Sequence, residues 1–425
     1  MNELSKSLNG TLHDLADRNL FLNSNTSELF TYQGLSARPE TELLLCCARS
    51  RLAPAVLARA AELLRAGIDW DFFLTLSSRH GAMPLVYRRL NESFTATVPA
   101  EQLRGFKERY RSNAAHSLFL TSALCRILDS FERESVEAIP YKGPALAVTA
   151  YGDISLRQFL DLDIIVRPRD VGRATSILKR AGFEPHFTLK VGREEEAFIR
   201  LSYVQLFRRA EDDVAVELHW GIAPRFFNFP FPVERLWEGD GQLTLAGRQV
   251  RAIAPELLIL LLCVHGNKDL WARLEWVCGI DALVNRELHL DWQSVIIEAE
   301  KYGAARILSL GLFLANDLLG TPLPEEISRR IKDSHAVASL AATVRRKMFD
   351  EAPRLPKLSE QVRFHTRSKD RLRDRLIYCS RLALTTTPVD WAAVSVPPSL
   401  SFVHLLIRPL RLMKKRLLSP ARRAS

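Results

Sequence analysis

The chain has 425 residues, of which 47% are hydrophobic and 25% charged, as is ordinary for a globular protein of two or three domains. Its formal net charge is +10, but seven cationic residues and no acidic residue lie in 401–425, so the remainder carries only +3. The longest apolar run, Leu257 to Val264, is too short to span a membrane, and the N-terminal sequence lacks the apolar segment of a signal peptide. The six cysteines form neither a C-x-x-C pair nor a zinc-binding spacing, so we expect reduced thiols and a cytoplasmic protein.

One helical segment predicted in the N-terminal part has an echo later in the chain. Residues 1–38 are polar without a clear period and are predicted to be poorly ordered, whereas 39–132 show the three- and four-residue apolar spacing of helices. Asp69 is predicted to be an N-cap of a helix that ends at Gly81. The same pattern, Asp-Trp with a glycine twelve residues after the aspartate, recurs from Asp291 to Gly303. We expect two similar helical hairpins that flank a central unit, with each tryptophan anchored in the core.

The period changes from helical to strand-like in residues 133–253, where we predict the core domain. The segments "VEAIPY" and "LDLDIIVRP" are predicted strands, and a helix follows the second. The segments "YVQLFRRA" and "VAVELHW" are predicted to form a hairpin, as is the later segment "LTLAGRQVRAI". The predicted fold class is therefore α+β, a small mixed sheet between N- and C-terminal helical regions.

Residues 254–400 are predicted to form the C-terminal helical region, and 401–425 a basic tail. In the tail, apolar residues alternate with arginine and lysine, as in helices that bind an anionic membrane surface, although Pro409 interrupts the pattern. A solvated, disordered end accounts for the tail equally well. Nucleic-acid binding has only the basic tail in its favour, because no aromatic and basic stacking surface is evident.

Three acidic residues on predicted strands indicate a metal site. Asp161 and Asp163 are two residues apart, so on a strand their side chains project to one face, about 6–7 Å apart at the backbone. Like charges at that separation repel each other unless a cation lies between them. The alternation in "VAVELHW" places Glu217 and His219 on one face, and the three acids converge if the two strands are neighbours. Three oxygen donors of this kind suit Mg²⁺ or Mn²⁺.

A glycine turn after the first predicted strand indicates phosphate binding. Gly143 follows "AIPYK" and opens a short helix, where backbone N–H groups can approach an anion. Lys142 can add a point charge for phosphates, and Arg157, four residues before the first acid, can do the same.

Together these motifs resemble the DNA polymerase β-type nucleotidyltransferase superfamily. More narrowly, "YKGPALAVTAYGDISLRQFLDLDIIV" with the downstream "VELHW" resembles the bacterial uncharacterised nucleotidyltransferase family over roughly residues 40 to 320. The resemblance implies that Asp161, Asp163 and Glu217 are metal ligands and that Gly143 belongs to the nucleotide-phosphate loop. It implies a Mg²⁺-dependent enzyme that moves a nucleoside monophosphate from an NTP such as ATP to an acceptor hydroxyl, the acceptor being protein, RNA, sugar or antibiotic.

The chain departs from the superfamily pattern at the glycine turn. Gly143 is followed by Pro144, which has neither a hydroxyl nor an N–H, where the superfamily usually has Gly-Ser or Gly-Gly. The eighteen residues from Gly143 to Asp161 are also more than the superfamily norm. These departures favour an alternative, a catalytically inactive binding or scaffold protein with the same fold, at a membrane surface through its tail.

Several of these residues also have a structural interpretation. Paired aspartates at strand starts often serve as caps or surface charges, and Glu217 could be a salt-bridge partner. His219 could be a packed, hydrogen-bonded histidine or a substrate contact. His265 and Lys268, one helical turn apart, could face the nucleotide or lie on a solvated helix face. Asp281 is interpreted as structural.

Overall fold

Five strands pair into one mixed sheet in this computed structural model, which describes residues 38–186, 198–287 and 289–384. The strands are β1 (Ala138–Pro140), β2 (Asp161–Val166), β3 (Glu184–Pro185), β4 (Val204–Arg209) and β5 (Val214–His219). Their order across the sheet is β1-β2-β5-β4-β3; β2 and β5 run parallel, and the other pairs are antiparallel. The predicted hairpin of β4 and β5 is confirmed, as is a separate hairpin of β6 (Gln242–Leu245) and β7 (Arg248–Arg251).

In the described residues, five helices precede the sheet: α1 (Pro39–Ala48), α2 (Pro54–Ala66), α3 (Trp70–Arg79), α4 (Met83–Ser93) and α5 (Ala100–Arg133). The 34-residue α5 buries side chains at three- and four-residue spacing along one face. Phe106 near its start belongs to the larger of two hydrophobic clusters, and its second half, from Leu120 to Phe131, belongs to the smaller one. This helix therefore connects the N-terminal helices to the sheet.

The two faces of the sheet meet different surroundings. One face packs against α5 and against α7 (Val171–Arg180), and β2 and β5 contribute these residues to it: Leu162, Ile164, Val166, Val214, Val216 and Leu218. The alternate side chains project to the other face, where Ile165 joins the larger cluster. The remaining side chains of β2 and β5 on that face include the predicted acids, so the candidate site lies on the side opposite α5.

The chain crosses from β1 to β2 through a short helix, α6 (Gly143–Leu146), and one π-helical turn, Ala147–Tyr151. After β7 the described helices are α8 (Pro255–Lys268), α9 (Leu274–Arg286), α10 (Trp292–Lys301), α11 (Ala305–Leu319), α12 (Glu325–Lys332), α13 (His335–Met348), α14 (Leu358–Ser368) and α15 (Leu372–Leu384). Helix α8 is buried nearly all round, because α9, α10 and α11 pack against it. None of the described helices is long and apolar enough to cross a membrane. The predicted α+β class is confirmed.

Polar contacts fix the helical regions at three predicted positions. Asp69 and Asp291 each accept a hydrogen bond from a backbone N–H in the first turn of their helices, at 3.0 and 3.1 Å. The helices end before Gly81 and Gly303, which both have positive φ, 66° and 65°. The carboxylate of buried Asp281 accepts bonds that join the end of α1 to the loop after α11, at 2.8 and 2.6 Å. The N-cap at Asp69 and the structural interpretation of Asp281 are confirmed.

Residues 1–37, which include almost all of the segment predicted to be poorly ordered, lie outside the described residues. The same holds for the basic tail, 401–425, so the membrane-surface interpretation stays a prediction from the sequence.

Candidate active site

Strand pairing brings the predicted acids together. In the parallel pair of β2 and β5, Asp163 lies beside Glu217 and Asp161 beside Ala215. Because side chains alternate along a strand, Asp161 and Asp163 share a face with Glu217 and His219. We call these four residues the sheet side of the candidate site.

Asp163 is the most tightly held acid of the sheet side. Its side chain is 3% exposed, and its Oδ1 lies 2.7 Å from Nζ of Lys142 and 3.0 Å from Nε2 of His219. Burial opposes ionisation of the carboxyl, but the charge of Lys142 and the hydrogen bond from His219 outweigh it and lower the pKa of Asp163. Asp163 is therefore ionised in the folded protein at neutral pH.

His219 bridges Asp163 and Glu217. Its Nε2 also lies 3.2 Å from Oε2 of Glu217, whose side chain is 34% exposed. Burial of the imidazole acts against its charged form, but the two carboxylates reverse the effect and raise the pKa of His219. The hydrogen bond from His219 in turn lowers the pKa of Glu217, so the carboxylate form of Glu217 prevails at neutral pH.

Asp161 lies next to this cluster, but its pKa is shifted in the opposite direction from that of Asp163. Burial, followed by the negative charges of Asp163 and Glu217, raises the pKa of Asp161 to about 6. Lys142 and Arg157 act in the opposite direction but do not cancel the rise. The motif D-x-D therefore contains one carboxyl whose ionisation is favoured by its partners and one whose ionisation is disfavoured by burial and by neighbouring acids.

The backbone of Gly143 lies close to the backbone of Asp161. Its φ is +49°, a conformation that side chains with a Cβ rarely adopt, and a Cβ there would lie 3.3 Å from the carbonyl oxygen of Asp161. Both the backbone conformation and the close approach to β2 therefore require glycine. Lys142, one residue earlier, is thereby directed to the sheet side.

Two polar groups near the sheet side have no hydrogen-bond partner among the described residues. One is Nη1 of Arg157 and the other is the hydroxyl of Tyr141, and both atoms are buried. Asn113 on α5 donates to the carbonyl oxygen of Arg157 at 3.3 Å, which fixes the backbone before β2. A buried guanidinium N–H without a partner is costly, so a polar ligand or a water molecule at this position would stabilise these groups.

The end of α8 supplies a second set of charged residues, which we call the helix side: His265, Lys268 and Asp269. Oδ2 of Asp269 lies 3.4 Å from Nδ1 of His265 and 3.4 Å from Nζ of Lys268. Lys268 also lies 3.4 Å from the hydroxyl of Tyr203, whose ring centroid is 6.1 Å from that of His219. Burial raises the pKa of Asp269 and lowers that of His265. The helix side therefore borders the sheet side, with Tyr203 between them.

Sequence reasoning found part of the helix side and missed the rest. The helical spacing predicts that His265 and Lys268 share a face, but it predicts neither Asp269 and Tyr203 beside them nor Tyr141 near the sheet side. The available signals are weak: Asp269 directly follows Lys268, and Tyr203 directly precedes β4, the strand that pairs with β5. A contact between residues 203 and 268 depends on how the chain folds back, which local periodicity does not encode.

The donor set fits a divalent cation. Ligand atoms of Asp163, Glu217 and His219 all lie within 4.8 Å of one another, and Asp161 is the next acid on the same face. Carboxylate oxygens with one imidazole nitrogen suit Mn²⁺ well, and Mg²⁺ through the carboxylates. The unpartnered Tyr141 hydroxyl beside this set is consistent with a further ligand there.

A mixed sheet that carries converging acids beside a glycine turn is the arrangement expected of a nucleotidyltransferase. Residues 66–320, more than half of the chain, match the sequence profile of a family described as "Uncharacterised nucleotidyltransferase". The chain belongs to this family, which confirms the resemblance and supports nucleotidyl transfer as its general activity. No curated protein matches the chain.

Solved structures of nucleotidyltransferases resemble the chain only distantly. The solution structure of the antibiotic-resistance factor ANT(2″)-Ia is 14% identical, covers 53% of this chain and 96% of its own, and gives a TM-score of 0.26. An antigenic nucleotidyltransferase-like protein from Paracoccidioides brasiliensis is 12% identical, covers 49% of this chain and 96% of its own, and gives a TM-score of 0.29. Because both TM-scores are low, we infer neither substrate nor mechanism from these two structures.

Proposed function

We propose that the protein transfers a nucleoside monophosphate from an NTP, such as ATP, to a hydroxyl group of an acceptor and releases pyrophosphate. The observation that carries the proposal is the convergence of Asp163, Glu217 and His219 within 4.8 Å, in a chain of the nucleotidyltransferase family. The acceptor class stays open between protein, RNA, sugar and antibiotic.

Each residue of the sheet side has a role in this reaction. Asp161, Asp163 and Glu217 hold Mg²⁺ or Mn²⁺, which when bound neutralises phosphate charge and activates the attacking hydroxyl. His219 orients Asp163 and Glu217 through its contacts at 3.0 and 3.2 Å. The side chain of Glu217 is 34% exposed, and its lowered pKa keeps it in the carboxylate form, which can accept a proton.

The acceptor oxygen forms a bond to the α-phosphorus, and the bond from that phosphorus to the bridging oxygen of pyrophosphate breaks. The hydroxyl proton passes to Glu217, and pyrophosphate leaves with the bonding electrons. Arg157 supplies a buried Nη1 that is free among the described residues and can bind a phosphate oxygen, and the Gly143 backbone allows close approach.

A specific contact favours the alternative of a catalytically inactive binding protein. Nζ of Lys142 lies 2.7 Å from Asp163, so a cationic group is already paired with a proposed metal ligand. The turn Gly143–Pro144 also lacks the hydroxyl usual in the superfamily. In this alternative Lys142 replaces the metal permanently, and the fold serves to bind a partner.

Metal-dependent nucleotide binding distinguishes the two functions without knowledge of the acceptor. Calorimetric titration with a non-hydrolysable NTP analogue of each base, with and without Mn²⁺, should show binding that requires the metal. Glu217→Gln should weaken this binding about tenfold or more, which corresponds to about 1.4 kcal/mol. It should also lower transfer of the labelled α-phosphate about 100-fold or more once an acceptor is found.

The matched control is Glu211→Gln, the same chemical change at an exposed position in the turn of the same hairpin. It should bind the metal and nucleotide as the wild type does. Absence of metal-dependent NTP binding in the wild type would establish the inactive alternative, and wild-type affinity in Glu217→Gln would remove Glu217 from the site.

A further inference from the structure

We propose that Lys142 is an exchangeable counter-ion: it neutralises Asp163 in the metal-free protein, leaves when a divalent cation binds, and then binds the triphosphate. The inference rests on the proposed function and adds a consequence to it, namely that metal and nucleotide bind cooperatively. Its basis is the geometry around a single carboxylate oxygen, Oδ1 of Asp163.

Two donors, Lys142 and His219, converge on that oxygen. Nζ of Lys142 is 2.7 Å from Oδ1, and Nε2 of His219 is 3.0 Å from the same atom. A carboxylate oxygen has two lone-pair directions, so these two contacts use the capacity of Oδ1. Because the Asp163 side chain is only 3% exposed, water offers little compensation if either donor moves away. A cation that coordinates Oδ1 must therefore replace one of the two donors.

Lys142 is the donor that leaves. An imidazole can lose its proton and remain as a metal ligand, whereas an ammonium group has no lone pair and repels a divalent cation. The lysine side chain also has a flexible four-carbon stem, and this one is 11% exposed. Among the described residues, Asp163 is the only acid within salt-bridge distance of Lys142.

The phosphate groups of an NTP provide the new partner. Lys142 directly precedes the Gly143 turn, and its charge acts on Asp161 together with that of Arg157, so the two cations border the same acid. Nη1 of Arg157 has no hydrogen-bond partner among the described residues. A phosphate group bound there would interact with both Lys142 and Arg157. A metal bound without nucleotide would leave Lys142 without a negatively charged partner. By reciprocity, each ligand must then raise the affinity of the protein for the other.

The experiment measures Mn²⁺ binding to the full chain by calorimetry or electron paramagnetic resonance, with and without a non-hydrolysable NTP analogue. In the wild type, the nucleotide should tighten Mn²⁺ binding about tenfold or more. In Lys142→Met, Mn²⁺ alone should bind about tenfold tighter than in the wild type, and the nucleotide should add little. The matched control is Lys179→Met, which removes the same charge at an exposed position on α7, on the opposite face of the sheet. It should shift Mn²⁺ affinity only about twofold.

A measurement on the unaltered protein covers the case in which Lys142→Met does not fold. Amine-selective acetylation followed by mass spectrometry should label Lys142 slowly without metal, faster with Mn²⁺ alone, and slowly again with Mn²⁺ and nucleotide together. Labelling of the exposed Lys179 serves as the internal reference.

The outcomes separate this inference from the proposed function. If the wild type binds Mn²⁺ and nucleotide, but Lys142→Met has unchanged Mn²⁺ affinity and unchanged coupling, the exchange is wrong and the nucleotidyltransferase site stands. A Lys142 labelling rate that does not change when Mn²⁺ is added leads to the same conclusion. If the wild type binds no Mn²⁺ with or without nucleotide, the proposed function fails and this inference fails with it.

Discussion

The sheet side and the helix side of the candidate site hold their charges differently. On the sheet side, Asp163 is 3% exposed and has cationic partners at 2.7 and 3.0 Å, and its pKa is lowered. On the helix side, Asp269 is 38% exposed, both of its contacts measure 3.4 Å, and burial raises its pKa. Close buried pairs thus stabilise the anion in one region, whereas partial desolvation dominates in the other.

The difference follows from the elements that carry the residues. A strand flanked by two others holds its side chains at fixed spacing, so Asp163 meets donors from β5 and from the Gly143 turn at hydrogen-bond distance. Asp269 lies at the C-terminal end of α8, where the backbone then enters a turn with two residues of positive φ, Leu270 and Trp271. The sheet side therefore holds its charged groups at hydrogen-bond distance, whereas the helix side holds them at longer distances beside a turn.

The largest expected effect comes from breaking the close pair on the sheet side. Asp163→Asn leaves Lys142 and His219 without their shared anion, and loss of one partner of a buried pair costs about 3 kcal/mol. The free energy of unfolding, measured by urea denaturation at pH 7, should fall by that amount. Because the pKa of Asp163 is lowered, its stabilisation is present above the unfolded pKa of about 3.9 and is lost at lower pH. The variant should accordingly match the wild type more closely near pH 3, and an equal deficit at both pH values would contradict the ion-pair account.

Local sequence patterns predicted the sheet side well and the helix side poorly. The alternation of "VAVELHW" placed Glu217 and His219 on one face, as found, because a period of two is a property of the strand itself. The parallel pairing of β2 with β5 places Asp163 beside Glu217, 54 positions later in the sequence. The sequence therefore predicts that the acids converge only if these two strands are assumed to be neighbours. The sequence predicts that Lys142 binds phosphate, but it does not predict the contact of Lys142 with Asp163. Such contacts depend on chain topology, which one strand's pattern does not contain.

A smaller effect of opposite sign is expected two residues away on the same strand. The pKa of Asp161 is raised to about 6, so the folded protein holds its proton longer than the unfolded chain does. The contribution of Asp161 to the stability of the wild type should therefore fall as pH rises from about 4 to 6 and level off above that. Asp161→Asn removes this loss. Its free energy of unfolding should be about 1 kcal/mol higher than that of the wild type at pH 7 and equal to it near pH 4. Denaturation across that pH range measures it, with exposed Asp240→Asn as the control. A variant less stable than the wild type at pH 7 would show that Asp161 has a partner that stabilises its anion.

The smallest effect is expected on the helix side. Asp269→Asn replaces a carboxylate whose two contacts are long and whose side chain is 38% exposed, so solvent screens the interaction. The free energy of unfolding should change by no more than about 0.5 kcal/mol, and Mn²⁺ affinity should stay within about twofold of the wild type, because Asp269 is not in the proposed donor set. Urea denaturation and Mn²⁺ titration, run beside Asp163→Asn, test both statements. A loss as large as that of Asp163→Asn would mean that the two sides share one tightly coupled charge network. A loss of Mn²⁺ affinity without a loss of stability would instead place Asp269 among the metal ligands, and the divalent cation would then lie between the two sides.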